Sequence, residues 1–388
     1  MNKKSLKLSR RQIVRGILAT TAFGLTAKFG TGCTNQASSD ETASEAEPIV
    51  VGFIYVGSKD DFGYNQSHAE GAAAVAQLPG FKIVEQANVP ETQAVQETMR
   101  EMIEIDGAKI LFPTSFGYFD PHILKIAEEF PEVQFFHAGG LYKEGMPENV
   151  GTYFGYIDEA QYIAGVVAAN NTKTGKLGFV AAKPIPQVLR NINGYTLGAK
   201  SVNPKITTQV VFTGDWAAPV KEAEAVDSMV NQGADVITCH VDSPKVVIET
   251  ASKRGVFCTG YHTDQSALAP KAYLTGAEWD WKSVYTQYAN LVKEGKTLMN
   301  GEIPHTIRGG LPENFWKLSA YGPAVSEATK SDAEAVKDKF ANGTMVIYTG
   351  ELKDNQGKII LPDGKSYQQT ALELETTDWL VDGVQGSV

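Results

Sequence analysis

The stretch KIVEQANVPETQAVQETMREMIEIDGAKILFPTS (residues 82–115) contains one complete strand–helix–strand unit. Its ends, KIVEQANV and AKILFPTS, are short apolar runs with β-branched residues, which is typical of strands buried in a sheet. The segment between them, TQAVQETMREMIEI, spaces its apolar residues as one face of a helix does. This order predicts parallel strands that are joined by a helix and covered by helices on their faces.

The same unit recurs along the chain and predicts an α/β protein of two doubly wound lobes. Further strand-like runs occur at 49–56, 133–140, 176–183, 207–214, 234–241 and 255–262, and the pattern restarts after a helix near 160–170. We therefore expect an N-terminal lobe at 49–160, with a return segment at about 262–300. The C-terminal lobe is expected at 161–261, together with about 301–388. A hinge would join the lobes, with a ligand cleft between them.

The N-terminus has the composition of an export signal. Residues 1–32 carry seven Lys or Arg and no acidic residue, and the apolar run at 16–27 has twelve residues. A membrane-spanning helix needs about 20 residues, so this run predicts a signal at 1–32 rather than an anchor. Arg10 and Arg11 after Ser9 are similar to a twin-arginine signal, and a general secretory signal is the alternative.

Cys33 follows Thr31 and Gly32, small residues of the kind that precede the lipid-modified cysteine of a lipoprotein signal. The sequence therefore predicts lipidation at Cys33, with a free thiol after cleavage elsewhere as the alternative. Residues 33–48 lack aromatic residues and are small or acidic, which predicts a flexible tether. The expected product is exported and membrane-anchored, facing the periplasm or the cell exterior.

The net charge of the chain argues against nucleic-acid binding, and its few cysteines are expected to be buried. The whole chain has a formal charge of −10, and loss of the seven leader cations leaves the mature part at about −17. Such an acidic protein is not expected to bind nucleic acid. Cys239 and Cys258 lie in apolar runs, so we expect two buried thiols, with a disulfide between neighbouring strands as the alternative.

The predicted strand ends are rich in aromatic and polar side chains. In parallel α/β lobes the carboxyl ends of the strands face the crevice that binds ligands. Aromatic candidates for stacking on a flat ligand are Tyr64, Phe116, Trp216, Tyr261 and Trp281. Candidates for hydrogen bonds to its edge are Asn65, Gln66, Ser115, Asp120, His240, Asp242, His262 and Asp264. The alternative is that the rings pack within their own lobes and that Asp120 and Asp242, which precede prolines closely, cap helices.

Motifs for catalysis or cofactor binding are missing from the sequence. It contains no GxGxxG after the first strand and no GxxxxGK[ST], HExxH or GxSxG pattern. His240 and Asp242 form an H-x-D pair, which is weak evidence for a metal site. We therefore expect no cofactor, no metal and no catalytic residue.

Five segments in order resemble the basic-membrane-protein (BMP) family of lipoproteins, the substrate-binding components of ABC importers that include purine nucleoside receptors. The segments are FGYNQS (62–67), TSFGYFD (114–120), TGDWAAPVKE (213–222), QGADVI (232–237) and GYHTDQ (260–265). The resemblance implies a type I periplasmic-binding-protein fold, a small-molecule ligand of the purine type and an ABC permease as partner, and we expect a monomer. It also implies that Tyr64 and Trp216 stack on the base, while Asn65 and Asp120 hold its edge.

The chain departs from the family pattern where a sugar would bind. The nucleoside receptors typically have GxDxDQ where this chain has GYHTDQ, so His262 replaces a carboxylate that pairs with the ribose diol. A lysine that tends to follow the next strand is replaced by residues 278–281, EWDW. A free nucleobase such as adenine or guanine, or another flat heterocycle, is therefore as well supported as a nucleoside. The alternatives are an exported nucleoside hydrolase-like enzyme with His240, Asp242 and His262 as acid–base groups, or a ligand-sensing domain for a membrane partner.

Overall fold

A computed structural model describes residues 47–388 of the protein. The predicted export signal, the predicted lipid attachment at Cys33 and almost all of the predicted tether lie outside the described residues. Within that part, no helix is both long and apolar enough to cross a membrane.

Strands and helices alternate in the first part of the described chain. In order they are β1 (Ile49–Ile54), α1 (Tyr64–Ala76), β2 (Phe81–Gln86), α2 (Gln93–Glu104), β3 (Ile110–Pro113), two short helical turns (Phe116–Tyr118 and Phe119–Ile123), α3 (Leu124–Glu129), β4 (Gln134–Ala138) and β5 (Val150–Gly155).

The alternation continues in the second part, which ends in a tail of short strands. Its elements are α4 (Asp158–Asn171), β6 (Lys176–Ala181), α5 (Pro186–Val202), β7 (Thr207–Phe212), α6 (Pro219–Asn231), β8 (Val236–His240), α7 (Lys245–Lys253), β9 (Phe257–His262), a 3₁₀ turn (Ser266–Leu268), β10 (Tyr273–Trp279), α8 (Trp281–Lys293), β11 (Thr306–Gly309), β12 (Trp316–Leu318), α9 (Glu327–Ala341), β13 (Tyr348–Thr349), β14 (Leu352–Lys353), β15 (Ile359–Leu361), β16 (Ser366–Tyr367), α10 (Leu372–Glu375) and β17 (Val384–Gln385).

Two parallel sheets form the cores of two lobes. The first has the strand order β11-β5-β4-β3-β1-β2, and all its strand pairs are parallel. The second has the order β12-β10-β9-β8-β6-β7-β17, and only the β10–β12 pair is antiparallel. The predicted α/β class with two doubly wound sheets is confirmed.

The segment that returns to the first lobe differs from the predicted 262–300. β10 pairs in parallel with β9, with Gly276 opposite Gly260, so it extends the second sheet. Only after β10 does the chain return: α8 packs on α1, and β11 joins the edge of the first sheet beside β5. The next strand, β12, is again in the second sheet, so the return covers about 281–309. All seven residues of β10 are buried, and a strand buried on both faces suits either sheet equally well from its sequence.

Cys239 in β8 and Cys258 in β9 are both buried and unpaired. This agrees with the prediction of two buried thiols rather than with a disulfide. Burial in the apolar interior raises the pKa of both thiols, which keeps them protonated and unreactive.

Candidate functional site

The carboxyl ends of both sheets meet around a cavity between the lobes. About 500 Å³ of space that is not filled by atoms lies between its walls, part of it open to solvent. The lining residues are Tyr64, Ser115, Phe116, Ala138, Phe154, Ile185, Gln187, Trp216, His240, Asp242, Tyr261, His262 and Trp279. Both sheets therefore contribute to one site, as the topology of parallel sheets requires.

Phe, Tyr and Trp rings from both lobes are six of the thirteen lining residues. The first lobe contributes Tyr64 and the exposed ring of Phe116, and the second contributes Trp216, Tyr261 and Trp279 among others. The Tyr64 hydroxyl donates to the carbonyl of Thr114 at 2.6 Å. Tyr64 therefore presents its ring rather than its hydroxyl to the cavity, and a planar apolar surface suits a flat ligand.

His240 and His262 are the polar groups of the second lobe that are best placed for a ligand. Asn191 Nδ2 donates to Nδ1 of His240 at 2.9 Å, and Trp279 Nε1 donates to Nδ1 of His262 at 3.0 Å. Because each Nδ1 accepts, each neutral ring carries its proton on Nε2. Nε2 of His262 is buried and has no hydrogen-bond partner within residues 47–388. The site thus offers imidazole N–H groups to an acceptor on a ligand.

Both imidazoles are neutral near pH 7. Burial lowers the pKa of His240 to about 3. Burial also holds the pKa of His262 well below its usual value, with smaller effects of the nearby His240 and His68. A neutral imidazole donates one hydrogen bond without bringing a charge, so these donors suit an uncharged ligand.

Asp242 is half-buried, and its carboxyl is the acidic group in the cavity wall. Burial raises its pKa well above the usual range, and Asp61 and Glu91 add to the effect, while Lys183 opposes it. A carboxyl held protonated can donate one hydrogen bond and accept another. None of the cavity-lining residues in the described chain is Lys or Arg, so the wall offers no fixed positive charge to an anion.

Five predicted site residues do not line the cavity. They are Asn65, Gln66, Asp120, Asp264 and Trp281. The Asn65 amide is used inside the first lobe, because Nδ2 donates to Asp61 Oδ2 at 2.7 Å and Oδ1 accepts from the Gly57 N–H at 3.2 Å. The residue therefore shapes the loop that precedes α1 instead of presenting its edge to the cleft.

The other four residues also lie outside the cavity wall. Gln66 bonds the Phe62 N–H and Glu70, and the exposed Asp264 accepts from the Ser266 N–H at 2.8 Å. Asp120 is exposed and lies on a groove beside the cavity, which shares Phe116 and Gln187 with the cavity wall. Trp281 is buried behind the cavity and stacks on Trp279, with 4.5 Å between the ring centroids.

Five lining residues were not predicted: Ala138, Phe154, Ile185, Gln187 and Trp279. Ile185 and Gln187 follow β6, a strand of the second lobe whose end contains none of the predicted site residues. Trp279 ends β10 and could have been found by the same rule. Oε1 of Gln187 is buried without a hydrogen-bond partner in the described part of the chain, so it is available as an acceptor at the cavity wall.

The two lobes touch beside the cavity through the loop that precedes α1. The Tyr64 N–H donates to the Asp242 carbonyl at 2.8 Å, and Ser243 Oγ donates to the Asp61 carbonyl at 2.6 Å. Gly63 lies at this contact with its Cα against the second lobe. The structure thus shows the lobes closed on the cavity, as expected for a protein that encloses its ligand.

The residues described do not support a metal site. Residues 47–388 contain no group of three or more His, Cys, Asp or Glu side chains that could hold a metal ion. Nδ1 of His240 is occupied by Asn191, and the Asp242 backbone is held by Trp216. The side chains of His240 and Asp242 both line the cavity.

Comparison with known proteins places this chain in one family. The model of the family described as ABC transporter substrate-binding protein PnrA-like, Bmp, matches residues 49–351. A purine-binding protein of Brucella abortus is 33% identical over 333 residues, which are 85% of this chain and 92% of that protein.

Other relatives are named for different ligands. A protein of Haloferax volcanii named as an ABC transporter glucose-binding protein is 29% identical, with 89% of this chain and 82% of that protein covered. An ABC transporter nucleoside-binding protein of Lactococcus lactis is 27% identical, with 72% and 71% covered. The family is thus shown, whereas the named ligands differ between relatives.

Solved structures agree on the fold. A solute-binding protein of an ABC transporter system from Aeropyrum pernix has a TM-score of 0.63 at 21% identity, covering 79% of this chain and 93% of that one. A comparable protein from Conexibacter woesei has a TM-score of 0.62 at 21% identity, covering 76% and 97%. Proteins of this family bind a small molecule for an ABC permease and are not enzymes, so the hydrolase alternative is wrong. The chain belongs to the Bmp family of PnrA-like ABC transporter substrate-binding proteins.

Proposed function

We propose that this protein captures an uncharged purine-type base between its lobes and delivers it to an ABC permease. The observation that carries the proposal is the combination, in one cavity, of aromatic rings from both lobes with the neutral imidazoles of His240 and His262. Rings bind the faces of a planar heterocycle, and the N–H groups bind acceptors on its edge. Asp242 and Gln187 supply acceptors for ring N–H or amino groups on the same edge.

The free base fits this wall better than a nucleoside. Where the nucleoside receptors have a carboxylate for the ribose diol, His262 accepts a hydrogen bond from Trp279 at 3.0 Å. An indole and an imidazole thus stand where a sugar would need several hydrogen-bond partners. The added ribose would gain few hydrogen bonds and would lose those that its hydroxyls make with water.

Calorimetric titration of the purified protein tests the function. The panel contains adenine, guanine, hypoxanthine, their nucleosides, uracil and glucose. At least one purine base should bind, and no tested nucleoside should bind more tightly than its base. Binding of glucose without any purine would contradict the proposal and would favour the ligand named for the Haloferax relative. Mass spectrometry of small molecules released on denaturation identifies the ligand carried from the cell.

Replacing His262 with Asp should shift preference toward nucleosides. His262 has a φ of 75°, a left-handed conformation that Asp tolerates better than most residues, and Asp can accept the Trp279 N–H. The carboxylate restores a partner for a ribose diol, and a hydrogen bond to a charged group is worth about 1.5–3 kcal/mol. The nucleoside-to-base affinity ratio should therefore rise roughly tenfold or more.

Asp264→Asn is the matched control for this substitution. Asp264 lies two residues further along the same loop, but it is exposed and outside the cavity wall. The affinity ratio of this variant should equal that of the parent. An unchanged ratio in His262→Asp, with ligand binding retained, would show that His262 does not contact the region of the sugar.

We also propose that a lipid on Cys33 anchors the protein near its permease, as the leader sequence suggests. Cys33→Ser should then move the protein from the membrane fraction to the soluble fraction, or leave the signal uncleaved. Fractionation of cells followed by immunoblotting measures this. A variant that stays with the membrane and has lost its signal would rule out the lipid anchor.

A further inference from the structure

An arm of the cleft extends away from the base cavity. It shares Phe154 and Gln187 with the cavity, and about 280 Å³ of space that is not filled by atoms, part of it open to solvent, lies between its walls. Its far wall includes Arg190 and Glu375. A ligand that extended past Gln187 would therefore meet walls that carry charges.

Arg190 is buried in this arm and is already paired within the second lobe. Its side chain is 8% exposed and contacts Asp158, with 3.2 Å between Nε and Oδ2. Its Nη2 donates to Oε1 of Gln369 at 2.6 Å. The negative charge of Asp158 therefore balances the positive charge of Arg190.

Arg308 approaches the same place from the first lobe. It lies in β11, and its Nη2 donates to the Gly140 carbonyl at 2.8 Å. Its side chain is 10% exposed, and its Nε has no hydrogen-bond partner among residues 47–388. A buried guanidinium with an unused N–H is a strong potential donor to an anion.

Glu375 lies between these two arginines. Its Oε1 is 3.7 Å from Nη1 of Arg190 and 3.7 Å from Nε of Arg308. These distances exceed those of hydrogen bonds, so the carboxylate is held by charge rather than by directed bonds. The negative charge of Glu375 balances the positive charge of Arg308. The net charge of Arg190, Asp158, Arg308 and Glu375 is therefore zero.

The chain segment that supplies this carboxylate lies outside the family match. The match ends at residue 351, whereas Glu375 is the last residue of α10. The tail is attached to the second lobe through β17, which pairs with β7. The tail thus adds a negative charge to a cleft whose base cavity is built by residues within the match.

We propose that Glu375 determines specificity by keeping phosphorylated ligands out of the cleft. Without its carboxylate, Arg190 and Arg308 would present a net positive charge from two lobes at the end of the arm. That arrangement binds a phosphate monoester, and a nucleoside 5′-monophosphate could place its base in the cavity and its phosphate at the arginines. This inference rests on the proposed binding of a purine-type base.

The test compares Glu375→Gln with Glu373→Gln by calorimetric titration. Glu373 lies in the same short helix but is exposed, and it is in no ion pair within the described residues. The probes are adenine, guanine and hypoxanthine, and the 5′-monophosphate of each. In Glu375→Gln, affinity for the bases should stay within about twofold of the parent, and affinity for a monophosphate should rise at least tenfold. Glu373→Gln should match the parent with every probe.

A double variant keeps the inference falsifiable. Adding Arg308→Gln to Glu375→Gln should abolish the gain for monophosphates while the bases still bind. No gain in Glu375→Gln, or equal losses for bases and monophosphates, would overturn the inference and leave Glu375 as a link between the lobes. Failure of the parent to bind any of the three bases would instead overturn the proposed function, and this inference with it.

Discussion

Gly63→Ala should weaken ligand binding by roughly 150-fold while leaving the unliganded protein folded. A Cβ at this position would overlap the carbonyl oxygen of Asp242 and lie 2.6 Å from Cδ of Pro244. Both obstacles are rigid parts of the opposite lobe, so neither can move aside as a flexible side chain would. Overpacking of this kind costs about 3 kcal/mol, and the cost arises only when the lobes are closed.

A large loss of ligand affinity with little loss of thermal stability distinguishes this effect from general destabilisation of the fold. A ligand can bridge the lobes only by favouring the closed state, and the added methyl group penalises that state alone. The melting temperature without ligand should therefore fall by less than about 4 °C, which allows for a weaker helix N-cap. Calorimetric titration with the purine base that the parent binds and thermal denaturation without ligand measure the two effects.

Gly71→Ala is the contrasting variant. Its Cβ would lie 2.6 Å from a ring carbon of Tyr285, a contact between α1 and α8 within the first lobe. This variant should lose stability with and without ligand. If Gly63→Ala behaved in the same way, or bound as the parent does, the contact between residues 61–64 and the second lobe would not be part of ligand capture.

The sequence allowed the fold to be predicted because strand–helix alternation is a local property. Each β-branched run and each amphipathic segment is visible in ten to fifteen residues. The sheet that a strand joins is a long-range property, which is why β10 was assigned to the wrong lobe. Its sequence, YLTGAEW, is buried throughout and would suit the interior of either sheet.

The site was predictable to the extent that strand ends determine it. Tyr261, His262 and His240 line the cavity because parallel strands end at one edge of a sheet. Asn65 lies at such an end as well, but the Asp61 carboxylate binds its amide and backbone N–H. Such a local network depends on side-chain conformations that a sequence pattern does not contain. Glu375 could not have been found, because its neighbours are distant in the chain.

Trp216→Ala should cost about 1–3 kcal/mol of binding free energy, a factor of roughly 5 to 150 in affinity. Trp216 is half-buried in the cavity wall after β7, and Lys183 Nζ lies 5.2 Å from its ring centroid. The ring centroid is 6.4 Å from that of His240, so stacking on the indole would keep a ligand beside the imidazole donor. Loss of the indole removes one of the stacking surfaces that the second lobe places beside that donor. Trp216→Phe retains an aromatic face and should recover most of the affinity.

Trp379→Ala is the matched control, because it removes an indole of the same lobe that lies away from the cavity. Trp379 is half-buried in the tail, with its ring 6.1 Å from that of Tyr348. Its loss should lower thermal stability and leave affinity within about twofold of the parent. Titration of both variants with the preferred base decides between stacking and packing. Less than a twofold loss in Trp216→Ala would mean that the indole only packs against its own lobe and that other groups of the cavity wall hold the ligand.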